Sequence, residues 1–524
     1  MQKIPVKKHS KHLKSSLIVG FMTSLSRILG LFRDICFAWF FGASPLTDVF
    51  FIAFKIPNFF RRLFAEGAFA QSFVPVLAEY KTHKNFAELQ TFIGATASSL
   101  AIILSVLSLL VIVFSQWISI VFAPGFINDP VKLDLIGKAL QITFPYLFFI
   151  ALTAFASSIL NTFKHFAVPA AAPLILNLCL IGATFLSAFS VLSTDTYQPV
   201  ITLSWAVFLA GVLQLLLQVP LLLKLKLFPA FSLNFCRTFA NPGVKKVIRL
   251  MIPTLFAVSV TQISLLTDTI LASFLISGSV SWLYYADRLV ELPLGLLAIA
   301  IATVIMPSLS STHQQQDRQA FVHTLEWAVR TVIFIGLPAC IGLIILAEPL
   351  ISTLFGYQAM TETDVIQTTA SLRAYALGLL AFMLIKIFGP AYFSQQNTKT
   401  PVKIGITASL ANIGLSLLFI LPLAHVGLAL ATSLAALLNA GLLAYGLWQR
   451  KLLVFDKSQL KYYVKIFTAS VIMALVLCVL LAYLKPYFHA DILARWLSLL
   501  GTCLIGMSFY FFIARLLGLK LTSI

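Results

Sequence analysis

Residues 95–114 read ATASSLAIILSVLSLLVIVF, an unbroken run without a charge, a proline or a glycine. About twenty such residues are what a helix needs to cross the hydrocarbon of a bilayer. No regular alternation of polar and apolar positions runs through it, which sets it apart from a strand of a membrane barrel. Outward from this stretch, apolar segments bounded by polar residues recur near 16–41, 46–78, 88–121, 135–162, 168–191, 199–223, 246–276, 280–310, 321–346, 366–394, 402–421, 426–448, 462–484 and 493–516. Of the 524 residues, 60% are hydrophobic and only 10% are Asp, Glu, Lys or Arg, against about 25% in a soluble domain. Mean hydropathy is +0.96. The expected fold is an all-α polytopic membrane protein of about fourteen transmembrane helices, joined by short loops.

Lys and Arg number 37 against 18 Asp and Glu, a net charge of +19. In a soluble protein that surplus would suggest nucleic acid. Here it collects in alternate loops. With a cytoplasmic N-terminus only Lys132 and Lys485 fall in outside loops, so both termini are read as cytoplasmic. The basic start, MQKIPVKKHSKHLKSS, shows no small-residue cleavage site and is read as no removable signal peptide. The longest basic connectors, 224–245 and 449–461, divide the spans into an N-lobe of six (residues 1–225), a C-lobe of six (226–450) and a C-terminal pair (451–524). The two lobes carry a faint parallel repeat. Asp34-x-x-x-Ala38-x-Phe40 in span 1 matches Asp268-x-x-x-Ala272-x-Phe274 in span 7, and a glycine follows each (Gly42, Gly278). The next span then sets a base ahead of a proline: Lys55 and Pro57, Arg288 and Pro293. Chance similarity between apolar helices is the competing reading.

Seven bases lie where hydrocarbon is expected: Arg27, Arg33, Lys55, Arg61, Arg62, Arg288 and Lys386. Each costs about 2.5–3.5 kcal/mol on insertion scales, so such residues turn inward and mark function. In span 1, Arg27, Gly30 and Asp34 share one helical face. In span 2, Lys55, Asn58, Arg62 and Glu66 form a stripe with Arg61 beside it, and Pro57 is expected to kink the helix there. Span 8 adds Asp287, Arg288 and Glu291, and span 10 adds Lys386. Internal salt bridges to Asp34, Glu66, Asp287 and Glu291 are one account of these charges. They leave bases over, which favours a wet, cationic cavity at mid-depth. Such a cavity suits an anion, and the planar fork of arginine suits phosphate oxygens. An anionic lipid headgroup in transit fits; a cationic drug does not.

Enzyme signatures are missing. No G-x-x-x-x-G-K-[ST] loop for ATP and no Asp-rich pair for magnesium is found, and no cofactor is implied. The 6 cysteines form no C-x-x-C pair, and the 8 histidines lie in loops or at span ends. A sodium site could draw on Asp268 with Asn412, Ser416 and Thr432. A plain polar contact between helices is the stronger reading of those residues.

Ser26-Arg27-Ile28-Leu29-Gly30 with Arg33-Asp34 resembles the MurJ (MviN) family of lipid II flippases, as does AFKIPNFFRRLFAEGAFAQSFVPVLAEY at 53–80. QITFPY at 141–146, LNTF at 160–163, SGSVSWLYYADRLVELPLG at 277–295 and QQNTKTPVK at 395–403 continue the resemblance in order along the chain. It implies a multi-pass protein of the bacterial inner membrane that carries lipid II to the periplasmic leaflet by alternating access. It also implies membership of the multidrug/oligosaccharidyl-lipid/polysaccharide exporter superfamily. Two six-helix lobes would surround a central cationic cavity, with two C-terminal helices forming a lipid groove. By the same resemblance Arg27, Arg61 and Arg288 are the essential cavity arginines, and Arg33, Asp34, Asp48, Asn58, Glu66 and Asp287 are further sensitive positions. The family's sodium site has a carboxylate in span 11 where this chain has Ser416, which puts sodium coupling in doubt. Partners would be lipid II, membrane lipids and cell-wall synthesis proteins. An O-antigen type flippase, a cation-coupled drug exporter and a scaffold for wall synthesis are the alternatives.

Overall fold

The computed structural model describes residues 7–63, 69–189, 197–232, 234–453, 456–489 and 491–519, which hold helices and no strand. By contacts the chain forms two compact units. One is Met1–Phe40 with Ser44–Phe274, and the other is Phe41–Ala43 with Leu275–Ile524.

The first unit runs α1 (Lys7–Phe41), α2 (Pro45–Phe60), α3 (Ala70–His83), α4 (Phe86–Val113), α5 (Ser115–Phe122), α6 (Pro130–Thr143), α7 (Tyr146–Thr162), α8 (Ala167–Phe189), α9 (Gln198–Lys224), α10 (Phe235–Ala240) and α11 (Pro242–Ala272). Short polar residues start these helices by accepting from orphan backbone N–H groups. The Ser44 hydroxyl takes the N–H of Thr47 at 3.3 Å, and Pro45 follows in the first turn. Asn85 takes Glu88 at 2.8 Å, and Asn241 takes Gly243 at 2.9 Å. The core is aromatic. Phe73 of α3 meets Phe92 of α4 at 5.7 Å and Phe155 of α7 at 5.0 Å, all three buried. α11 packs on α3 and α4, and Lys246 pairs there with Glu79. The hydrogen bond from Lys246 holds the Glu79 carboxyl below the usual carboxylate range. The contact division therefore falls after Phe274, whereas the basic connector near 225 divides the spans by sequence. These are two different partitions of one chain.

The second unit runs α12 (Ser279–Pro293), α13 (Ile299–Gln314), α14 (Arg318–Ile345), α15 (Ala347–Leu354), α16 (Glu362–Ala376), α17 (Leu379–Phe393), α18 (Lys399–Gln449), α19 (Lys457–Leu484) and α20 (Ile492–Leu516). α18 covers 51 residues, more than twice what one crossing needs at 1.5 Å per residue. It breaks at Ala424 (φ 48, ψ −130), two residues after Pro422. Beyond the break the chain doubles back: a Cβ on Gly427 would stand 2.4 Å from the Phe419 carbonyl oxygen. Two antiparallel spans result, at 402–421 and 426–448. α19 and α20 pack together and on α14, where the Tyr510 hydroxyl donates to the Phe334 carbonyl at 2.5 Å.

Among the described residues nine helices or helical runs are long and apolar enough to cross a membrane by length and composition, α18 being one of them. The other helices include α1, α2, α3, α11, and α12 with α13. α1, α2 and α12 carry Arg27, Arg33, Lys55 and Arg288, and Arg61 and Arg62 directly follow α2. The chain is an all-α polytopic membrane protein. The repeat seen in sequence also has a backbone counterpart. Gly42 and Gly278 both adopt positive φ, at 60° and 98°, a conformation that a side chain disfavours. Pro57 and Pro293 are each followed by a π-helical turn, at 61–63 and at Leu294–Ala298. A proline removes one helix donor, and a wide turn is a common way to absorb the loss.

Candidate functional site: charged helices in each unit

α1 carries its two arginines in different settings. Arg33 is 4% exposed and Asp34 is fully buried. Nε and Nη2 of Arg33 donate to Asp34 Oδ1 at 2.9 and 2.6 Å, and Nη1 donates to Asn177 Oδ1 of α8 at 2.9 Å. The guanidinium also lies 5.6 Å from the Phe37 ring. Arg33 is thus a neutralised, fully held cation. Arg27, nearly two turns earlier, is half-buried and makes no hydrogen bond or ion pair with the described residues.

α2 delivers the next group. Asp48, 1% exposed, sits in its first turn. Lys55 and Asn58 follow, both half-buried. Arg61 begins the π-helical turn and donates from Nε to Asn58 Oδ1 at 3.0 Å. Arg62 is half-buried and, like Arg27, makes no hydrogen bond or ion pair with the described residues. Glu66 lies outside the described residues.

In the second unit Arg288 of α12 pairs with Glu291 at 2.8 Å and stands 5.5 Å from the Tyr284 ring. Its Nη2 reaches the Tyr284 hydroxyl at 3.4 Å. Arg288 and Glu291 are 29% and 37% exposed, so the pair is only partly buried. Asp287 is exposed, and so is Lys386 on α17. Asp268 is buried in the first unit; Asn412 and Ser416 are buried in the second, where the half-buried Thr432 donates to its own helix at Leu428. Among the described residues no group of three His, Cys, Asp or Glu side chains could hold a metal.

Salt bridging therefore accounts for Arg33 and Arg288 and leaves Arg27 and Arg62 as half-buried cations with no partner among the described residues. The charge pattern of the sequence does not mark Asn177 or Tyr284. Asn177 is the one side-chain amide in a largely apolar span, 168–191, and that is the signal the sequence offers.

The family model described as lipid II flippase MurJ matches residues 37–498. The chain belongs to the MurJ family. A probable lipid II flippase MurJ from Vibrio cholerae is 42% identical over 98% of this chain and 97% of its own. One from Haemophilus influenzae is 40% identical over 93% and 97%. A lipid II flippase MurJ from Burkholderia cenocepacia is 39% identical over 88% of each chain. A solved lipid II flippase MurJ in an inward closed conformation superposes with a TM-score of 0.79 at 31% identity, over 95% of this chain and 99% of that one. A multidrug transporter of the MATE family superposes with a TM-score of 0.64 at 14% identity, over 82% and 97%, a likeness of fold alone.

Proposed function

We propose that this chain is a lipid II flippase of the bacterial inner membrane. It moves the undecaprenyl-diphosphate-linked peptidoglycan precursor from the cytoplasmic to the periplasmic leaflet by alternating access, with both termini cytoplasmic. Membership of the MurJ family along nearly the whole chain carries this reading, and the arginines at the motif positions agree with it. Arg27 and Arg61 of the first unit and Arg288 of the second are assigned to the diphosphate. Arg62, Asn58, Lys386 and the acids Asp48, Glu66 and Asp287 tune the field around them. Arg33 with Asp34 holds the helix that presents Arg27. Arg27 has no competing carboxylate among the described residues, and a phosphate reaching Arg288 would displace Glu291. Cell-wall synthesis proteins are the proposed protein partners.

Depletion in cells should accumulate lipid II in the inner leaflet, and plasmid-borne Arg27→Ala, Arg61→Ala and Arg288→Ala should fail to restore growth. Each lost charge-assisted hydrogen bond is worth about 1.5–3 kcal/mol, so capture weakens roughly tenfold or more. Lysine variants should restore growth only in part, since lysine lacks the fork. Full growth of all three alanine variants at normal expression would refute the assignment.

The lipid tail is assigned to α19 and α20, which carry no charge between Ile466 and Tyr483 or between Leu497 and Ala514. Leu475, Val479, Leu497 and Leu504 are exposed along them. A photoreactive group on the tail should label these two helices. Labelling confined to α4–α9 would exclude them as the groove.

A further inference from the structure

α1 carries both Arg27 and Arg33, and its later half is buried, with Asp34, Phe37 and Ala38 all but inaccessible. Phe37 packs on Phe50 of α2 at 5.8 Å, and two side chains of α8 also hold the helix. Phe185 meets Phe40 edge-on at 5.4 Å near one end. Asn177 grips the middle: its Nδ2 donates to the Ser26 carbonyl at 3.0 Å, and its Oδ1 accepts from Arg33 Nη1 at 2.9 Å. Asn177 is itself 7% exposed. Gly30 lies between the two anchor points, where a Cβ would come 3.7 Å from Nδ2.

We propose that Asn177 is a positioning residue for Arg27. The Ser26 carbonyl belongs to the peptide unit whose nitrogen is that of Arg27, so the Asn177 hydrogen bond orients the plane from which the Arg27 side chain departs. No described side chain bonds to Arg27, so backbone placement sets where its side chain starts and which way it leaves the helix. The same amide ties that plane to the buried Arg33–Asp34 pair. A short side chain with one donor end and one acceptor end is required for both contacts, and asparagine supplies it. The proposal rests on the reading of Arg27 as a contact to the diphosphate.

The test uses full-length protein in detergent and fluorescently tagged lipid II as the probe. Asn177→Asp keeps an acceptor for Arg33 but cannot donate to Ser26; Asn177→Ala loses both contacts. Each should weaken lipid II binding roughly fivefold, the worth of about one hydrogen bond. In an Arg27→Ala background the Asn177 substitutions should add about twofold or less, because residues that act through one another are not additive. Unfolding midpoints are recorded in parallel, and Asn177→Asp serves where Asn177→Ala fails to fold. If Arg27→Ala binds weakly while both Asn177 variants bind like the parent, the positioning role is overturned. Losses that multiply in the double variants overturn it too, in favour of general packing. If Arg27→Ala itself binds like the parent, the diphosphate reading of Arg27 falls and the proposal falls with it.

Discussion

Replacing Asp34 by asparagine is expected to destabilise the protein by about 3–5 kcal/mol, the usual cost of removing one partner of a buried ion pair. The size follows from burial. Arg33 is 4% exposed and Asp34 is fully buried, so the guanidinium left behind keeps its charge without the carboxylate and has little water to take its place. Asparagine keeps the shape and one acceptor oxygen, which makes the missing charge the main change. A double variant, Arg33→Met with Asp34→Leu, removes both charges and should retain more stability than the single change, because an apolar pair carries no desolvation penalty. The measurement is the unfolding midpoint of purified protein in detergent, with expression level as a second readout. An Asp34→Asn midpoint equal to that of the parent would mean that the pair contributes nothing. A double variant less stable than the single one would mean that the hydrogen bonds, including the one to Asn177, outweigh the charge.

Collapsing the membrane potential is expected to stop lipid II export even with pH and sodium gradients held constant. No nucleotide-binding loop is present in the sequence, so the driving force must come from ions, the potential or the lipid gradient. The lipid diphosphate carries about two negative charges, and each is worth about 2.3 kcal/mol per 100 mV. With the interior negative, its outward transfer is downhill by about 4–5 kcal/mol per 100 mV. The empty carrier is cationic at depth, since Arg27 and Arg62 have no ion-pair partner among the described residues. The same field therefore favours its return toward the cytoplasmic side. Export in intact cells, followed by the accessibility of lipid II to an external lipid II-cleaving enzyme, should fall when an ionophore removes the potential. Unchanged export would refute the electrical account and turn attention to Asp268 and a coupling cation.

Much of this protein is legible one segment at a time. A membrane-crossing helix satisfies its backbone within itself, so length and apolarity suffice to find α4, α9 or α20. The return at Ala424 is legible as well, because Pro422 and the polar His425 interrupt an apolar run. The charged helices are found by the reverse signal, bases where hydrocarbon should be. The proline kink expected at Pro57 is expressed a few residues later, as the π-helical turn beginning at Arg61.

What each base does is a different matter. Arg27 and Arg33 stand six residues apart on one helix and look alike as sequence. One has no partner among the described residues, and the other is locked against its own neighbour Asp34 and against Asn177, 144 positions away. The placement of α11 with the first unit likewise depends on side chains of α3 and α4 that no local pattern names. Composition and periodicity by themselves determined that the chain is a polytopic helical membrane protein and which residues bear charge within it, because transfer into lipid is a local free energy summed along a segment. Only the tertiary structure decided which of those charges are neutralised and which remain available to an anion, because pairing depends on distances between helices far apart in the chain.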